Sequence, residues 1–311
     1  MQDNIASLSL TDADRDPSGF AASIGHSFED YGFAIVRDHG LSQALIDRAE
    51  AQARAFFALP EAVKCSYLVA GGGGARGYTA FGVETAKGAQ AHDLKEFWHV
   101  GRELAADHPF RGMMADNIWP SELPDFRETF LALFEAFDAV GVKVLRAIAR
   151  YLAIDEEYFT DTVRDGNSVL RLLHYPPQPT PTGQHIRAGA HEDINTITLL
   201  LGAEEAGLEL KTRDGRWIPV SPREGELVIN IGDMLQRLTN GRLRSTSHRV
   251  VNPAPDRASH ARYSMPFFLH FRPDYMIEAL PLTVPPGEEP RWPPITAHDY
   301  LAERLREIKL A

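Results

Sequence analysis

The segment His191-Glu192-Asp193 pairs residue types that do chemistry at a spacing that matters. In an extended chain positions i and i+2 face the same side, so an imidazole and a carboxylate are presented together while Glu192 points away. Twelve histidines make one such pair expected by chance, and a loop histidine beside a solvated aspartate is the plain reading of it in isolation. A second pair, Arg262 and Ser264, has the same alternation. A guanidinium fork donates two parallel charge-assisted bonds to a planar carboxylate and a neighbouring hydroxyl adds another, a task lysine performs poorly. Other catalytic patterns fail on inspection. His191-Glu192 begins like a zinc-protease helix, but Asn195 stands where the second histidine is needed. Gly72-Gly73-Gly74-Ala75-Arg76-Gly77 matches G-x-G-x-x-G, yet a helical segment precedes it and no helical period follows it, so it does not read as a dinucleotide site. Neither a G-x-S-x-G elbow nor a Walker A sequence occurs.

The elements that must position these residues are legible from periodicity. Phe20, Ile24 and Phe28 recur at helical spacing before the apolar run Phe33 to Val36, predicting a helix that feeds a buried strand. A second helix is expected over Gln43 to Leu59, ended by Pro60, and the glycines Gly71 to Gly74 predict a loop that is a candidate lid. From Pro124 to Leu152, Phe126, Phe130, Leu133, Phe134, Phe137, Val144, Leu145 and Ile148 keep a 3.6-residue period, predicting one long supporting helix. After Asn167 the pattern changes to the short runs SVLRLLHYP, NTITLLLG, GLELKT, RWIPV, ELVINIG, HRVVNP and RYSMPFFLHF, punctuated by turn residues. This predicts a sandwich or barrel of the jelly-roll type, followed by a Pro-rich stretch and a helix over Tyr300 to Leu310.

Composition narrows the partners. The chain has 311 residues, 44% hydrophobic and 24% charged, enough for a substantial core. Its formal charge of −11 repels phosphate backbones and anionic lipid, arguing against nucleic acid or a membrane surface. The single Cys65 cannot form an internal disulfide, and Met1 to Asp16 shows no secretory pattern, so a reducing cytoplasm is expected.

Taken in order, Ile194 to Leu201, Asn230-Ile231-Gly232-Asp233, Leu238 to Gly241, Ser245 to Val250 and Arg262 to Phe268 resemble the isopenicillin N synthase-like family of non-haem iron, 2-oxoglutarate-dependent oxygenases. Tyr31-Gly32-Phe33, His39-Gly40, Phe56 to Pro60, Arg76-Gly77-Tyr78 and Asp93 to Phe97 extend the resemblance over most of the chain. It implies an α+β fold, a double-stranded β-helix (jelly-roll) core with an N-terminal helical region and a long supporting helix. The expected divisions are an N-terminal dioxygenase region at 1–120, a linking helix at 121–166, the core at 167–275 and a C-terminal extension at 276–311.

By the same resemblance His191, Asp193 and His248 are the Fe(II) ligands, and Arg262 with Ser264 holds the distal carboxylate of 2-oxoglutarate. Two imidazoles and one carboxylate on one face of a metal leave adjacent sites for a chelating cosubstrate and O2. Tyr175, in His174-Tyr175-Pro176, matches a motif that contributes a phenol to the cosubstrate pocket, although Leu173 replaces the asparagine common two positions earlier. Asn195 replaces a glycine common after the ligand aspartate, and asparagine tolerates a positive φ. Arg262 lies 14 residues after His248, longer than usual, which predicts an enlarged loop at 252–260. Asn230, Asp233 and Asn240 read as supporting hydrogen-bonders, and His99, His174, His185 and His270 as packed or exposed residues.

The implied activity is oxidation of a small molecule by hydroxylation, desaturation or ring closure, with release of succinate and carbon dioxide, by a monomer. Two other readings stay open at this point. One is an iron oxidase that dispenses with 2-oxoglutarate, since such enzymes also carry the R-x-S pair; the other is a non-catalytic β-roll that binds metal or ligand.

Overall fold

The structure, a computed structural model, describes residues 5–69, 74–83, 93–177, 187–201, 207–252 and 259–307. Gly71 to Gly73 of the candidate lid, His185, and residues 253–258 of the enlarged loop lie outside them. Strand β1 (Ser7–Ser9) and the short helix α1 (Asp12–Arg15) lead into α2 (Pro17–Tyr31). Asp16 caps α2 by accepting the Gly19 N–H at 3.0 Å, and Pro17 at its first position needs no N–H partner. Gly32 ends the helix with φ +71; a Cβ there would lie 2.5 Å from the Arg244 carbonyl oxygen. Only glycine turns the chain there and lets β2 (Phe33–Arg37) begin at once. Helices α3 (Gln43–Phe57) and α4 (Glu61–Cys65) are separated at Pro60. Strands β3 (Gly77–Thr79) and β4 (Glu96–Gly101), which periodicity does not announce, precede the supporting helix α5 (Phe126–Tyr151) and α6 (Tyr158–Val163).

The remaining strands are β5 (Val169–Tyr175), β6 (Ala188–His191), β7 (Ile197–Leu201), β8 (Leu208–Lys211), β9 (Trp217–Pro219) and β10 (Leu227–Ile231). After α7 (Asp233–Leu238) come β11 (His248–Val250), β12 (Arg262–Ser264) and β13 (Pro266–Leu269). The run RYSMPFFLHF is therefore two strands, broken at Met265. An antiparallel pair, β14 (Met276–Ile277) and β15 (Ile295–Thr296), leads to α8 (Ala297–Glu307), which starts three residues before the expected Tyr300.

Among the described residues a nine-stranded sheet runs β1-β2-β10-β7-β13-β5-β4-β3, with β12 also paired to β5, and a four-stranded sheet runs β6-β11-β8-β9. The large sheet has two unlike faces because side chains alternate. Ala34, Val36, Leu170, Leu172, Leu199, Leu227, Ile229, Phe267 and Leu269 point outward into one apolar core with α2, α3 and α5. On the other face Phe33, Ile35 and Val228 meet Leu210, Ile218 and Val220 of the small sheet. This is the expected jelly roll, backed by the expected helix. Beside that inner core the same face carries Thr198, Asn230, Tyr175, Arg262 and Ser264, so the polar site lies between the two sheets. Among the described residues no helix is long and apolar enough to cross a membrane.

The helix-to-sheet contact centres on Phe267, fully buried, whose ring stacks on Phe137 at 5.6 Å and meets Phe134 edge-on at 4.9 Å. Phe267→Ala leaves a ring-sized void under α5 and should destabilise the fold by about 3–5 kcal/mol. Urea unfolding followed by circular dichroism checks this, and a loss below about 1 kcal/mol would show that the contact is not central.

Candidate metal centre and cosubstrate pocket

His191 is the last residue of β6 and His248 the first of β11, and the antiparallel register sets them directly opposite. Their ring centroids are 4.4 Å apart. Asp193 follows just beyond the end of β6, buried, while Glu192 between them is exposed, as the alternation requires. The Nδ1 of His191 lies 2.7 Å from the Gly189 carbonyl oxygen and the Nδ1 of His248 lies 3.1 Å from that of Thr246. A carbonyl only accepts, so both rings carry their proton on Nδ1 and present a bare Nε2 lone pair. Each Nε2 is 3.8 Å from the same atom, Asp193 Oδ1. The other carboxylate oxygen, Oδ2, is committed: Asn230 Nδ2 donates to it at 2.8 Å and Thr198 Oγ1 donates a short bond.

The backbone holds this arrangement from behind. The Asp193 carbonyl accepts the Asp233 N–H at 2.7 Å, and Gly232 packs so closely that a Cβ would lie 2.1 Å from the Asn195 carbonyl oxygen. Asn195 itself does not adopt the positive φ its type would allow; its amide Nδ2 instead donates to the Ile197 carbonyl at 2.8 Å and to Thr198 Oγ1 at 3.0 Å. Burial alone would raise the pKa of Asp193, but the two imidazoles and the Asn230 and Thr198 donors overcome it and hold the carboxyl low. Burial, followed by the neighbouring His248, pushes the His191 imidazole down to about 4, so the neutral ligand form prevails near pH 7. The three donor atoms lie within 4.8 Å of one another and fit a single divalent ion: two neutral nitrogens and one anionic oxygen on one side, the opposite side left to other ligands.

Arg262, Ser264 and Tyr175 gather on the same inner face. β12 pairs with β5 so that Arg262 lies opposite Tyr175 and Ser264 opposite Leu173. All three side chains are buried, and the Arg262 guanidinium stands 5.1 Å from the centre of the Tyr175 ring. Tyr263, between them, points to the other face and stacks on His174 at 4.8 Å. Arg187, also buried, lies 5.9 Å from the Tyr175 ring. The Tyr175 ring packs beside Arg262.

Three of the histidines expected to be packed or exposed are engaged away from the metal ligands. His174 Nδ1 meets Glu96 Oε1 at 2.7 Å, His270 Nδ1 donates to the Phe268 carbonyl at 3.1 Å, and His99 Nδ1 donates to the Gly74 carbonyl at 2.6 Å. Of the three expected supporting residues only Asn230 touches the aspartate side chain. Asp233 helps through its backbone, and Asn240, with φ +50, shapes a turn while its Oδ1 accepts the Arg291 N–H at 2.9 Å. Thr198 escapes the sequence reading; its only signal is a lone hydroxyl in the apolar run Ile197 to Leu201.

Two sequence families match this chain. The family described as "non-haem dioxygenase in morphine synthesis N-terminal" covers residues 4–122, and the 2OG-Fe(II) oxygenase superfamily covers residues 166–271. A Caulobacter crescentus protein assigned to the 2OG-Fe(II) oxygenase family is 56% identical, with a TM-score of 0.92 over 98% of this chain and 99% of its own. A full-length Neurospora crassa protein, solved in complex with alpha-KG, is 30% identical, with a TM-score of 0.87 over 98% of this chain and 97% of its own. The 2-oxoglutarate-Fe(II) type oxidoreductase hxnY of Emericella nidulans is 35% identical over 288 residues, 89% of this chain and 81% of that protein. The chain belongs to the 2OG-Fe(II) oxygenase superfamily and is an enzyme that oxidises a small molecule with Fe(II), 2-oxoglutarate and dioxygen.

Proposed function

We propose that His191, Asp193 and His248 hold the iron and that Arg262 and Ser264 hold the distal carboxylate of 2-oxoglutarate beside Tyr175. One observation carries this reading: two bare Nε2 atoms face one uncommitted carboxylate oxygen, each 3.8 Å away, while the opposite edge of every ligand already has its own partner. Bound Fe(II) supplies positions at which a 2-oxo acid and dioxygen meet. The chain's own residues do the rest. The Gly189 and Thr246 carbonyls keep the proton on Nδ1 and aim the lone pairs; Asn230 and Thr198 hold Oδ2 so that Oδ1 faces the ion. Arg262 supplies a buried positive charge matching a dianionic cosubstrate, and its stacking beside Tyr175 limits the directions its fork takes.

The catalytic core is 167–275, with 1–120, the segment 121–166 that carries α5 and α6, and 276–311 as its supports. The net charge of −11 favours a small-molecule partner over nucleic acid or membrane, and the protein works as a cytoplasmic monomer. The presence of alpha-KG in the Neurospora crassa complex favours 2-oxoglutarate here over an oxidase that dispenses with it.

The reading is tested by quantifying succinate against 2-oxoglutarate consumed; oxygen uptake without stoichiometric succinate overturns it. Asp193→Ala should reduce turnover to background, while Glu192→Ala, exposed and facing away, should stay within about twofold; equal loss in both would mean the alternation is misassigned. Arg262→Lys removes the fork and should raise KM for 2-oxoglutarate roughly 10–100-fold with a smaller change in kcat, measured by steady-state kinetics. Thr198→Val keeps the side-chain shape but removes one donor to Asp193, so anaerobic Fe(II) titration should show about 10-fold weaker binding.

A further inference from the structure

Among the described residues β6 is the outer strand of the small sheet, so no strand of that sheet pairs with the edge it turns away from β11. Gly189 is buried on that strand, two residues before His191, and side chains engage both of its backbone groups. Its N–H donates to Asp93 Oδ1 at 3.1 Å, and its carbonyl accepts the His191 Nδ1 proton at 2.7 Å. Asp93 lies just before β4, in the large sheet, and its Oδ2 accepts from Lys95 Nζ at 2.8 Å, both side chains being 7% exposed. A single buried carboxylate, neutralised by an ammonium, therefore ties the N-terminal half of the chain to the residue whose carbonyl orients His191.

We propose that Asp93 is a positioning residue for His191: by holding the Gly189 N–H it fixes the direction of the Gly189 carbonyl, and through that the tautomer and aim of the His191 ring. Among the described residues His248 shows no such dependence. Its strand, β11, lies between β6 and β8, and its Nδ1 donates to Thr246 within its own segment. The two imidazoles thus differ in what steers them, one from across the molecule and one locally. This inference rests on the reading of His191 as a ligand.

Asp93→Asn breaks the arrangement with almost no change of shape. A carboxylate accepts from both Gly189 and Lys95, whereas an amide has one oxygen and must turn its NH2 toward one of these two donors. The full-length protein is loaded anaerobically with Co(II). The wild type is expected to show two exchangeable ring N–H resonances shifted far from the proton envelope, one for each ligand histidine. In Asp93→Asn one resonance moves and the other stays, and the Co(II) dissociation constant, read from the d–d absorption, rises about 10-fold. The double variant Asp93→Asn with Lys95→Gln replaces the ammonium by an amide whose oxygen can face the new NH2, freeing the amide oxygen for Gly189, and should return both readouts toward wild type. Where Asp93→Asn does not fold, Asp93→Glu keeps Lys95 neutralised but displaces the oxygen from Gly189, and is read the same way. Wild-type affinity with both resonances unmoved overturns the proposal, as does an equal shift of both, which would mark a general disturbance. Wild-type Co(II) affinity in His191→Ala would instead remove His191 from the ligand set and sink the reading of the site, independently of Asp93.

Discussion

A carboxylate enclosed between two sheets is stable only if its charge is answered on every side, and the construction around Asp193 follows from that constraint. Burial disfavours its ionised form, so two donors are spent on one oxygen and two imidazoles face the other. The donors come from β7 and β10 of the large sheet, the imidazoles from β6 and β11 of the small one. The site is therefore assembled by bringing the two sheets together, and the antiparallel pairing of His191 with His248 sets its geometry.

This arrangement asks the large sheet to serve two environments at once. Its outward face is apolar across β2, β10, β7, β13 and β5, and α5 seals it with a row of phenylalanines. Its inward face is apolar at one end, where Phe33, Ile35 and Val228 join the small sheet, changes to Thr198, Asn230, Ser264 and Arg262 at the site, and is apolar again at Leu173 and Phe97 beside Tyr175. Alternation along each strand makes this possible: one residue in two belongs to the core, and its neighbours are free to be polar. The apolar contact keeps the sheets at a fixed separation, and that separation lets Asn230 and Thr198 reach Asp193.

The N-terminal half is part of the same construction. β2 pairs with β10 and β4 pairs with β5, so the sheet that carries the polar face is continuous with strands from residues 33–101. Phe33 meets the His248 ring edge-on at 5.5 Å, and Asp93 reaches the strand of His191. One histidine is thereby touched, and the strand of the other held, from segments far removed in the chain.

Local pattern determined a good deal of this protein on its own terms. The amphipathic period of Phe126 to Tyr151, the short β-rich runs after Asn167 and the i, i+2 spacing of His191 with Asp193 and of Arg262 with Ser264 are properties of neighbouring residues, and periodicity reports them directly. The resemblance of ordered motifs supplied His248, which no local pattern marks. Strands β3, β4 and β6 escaped because each is short and takes its support from partners distant in sequence, Leu173 for Phe97 and His248 for His191. Asn195 could not be read correctly either, since its tolerance for positive φ is a property of the residue type, whereas its actual bonds to Ile197 and Thr198 depend on how the following strand packs. That Asn230, rather than Asp233 or Asn240, reaches the Asp193 side chain, and that Asp93 reaches Gly189, was decided only when the sheets closed, because a hydrogen bond between residues dozens of positions apart leaves no trace in the spacing of either one.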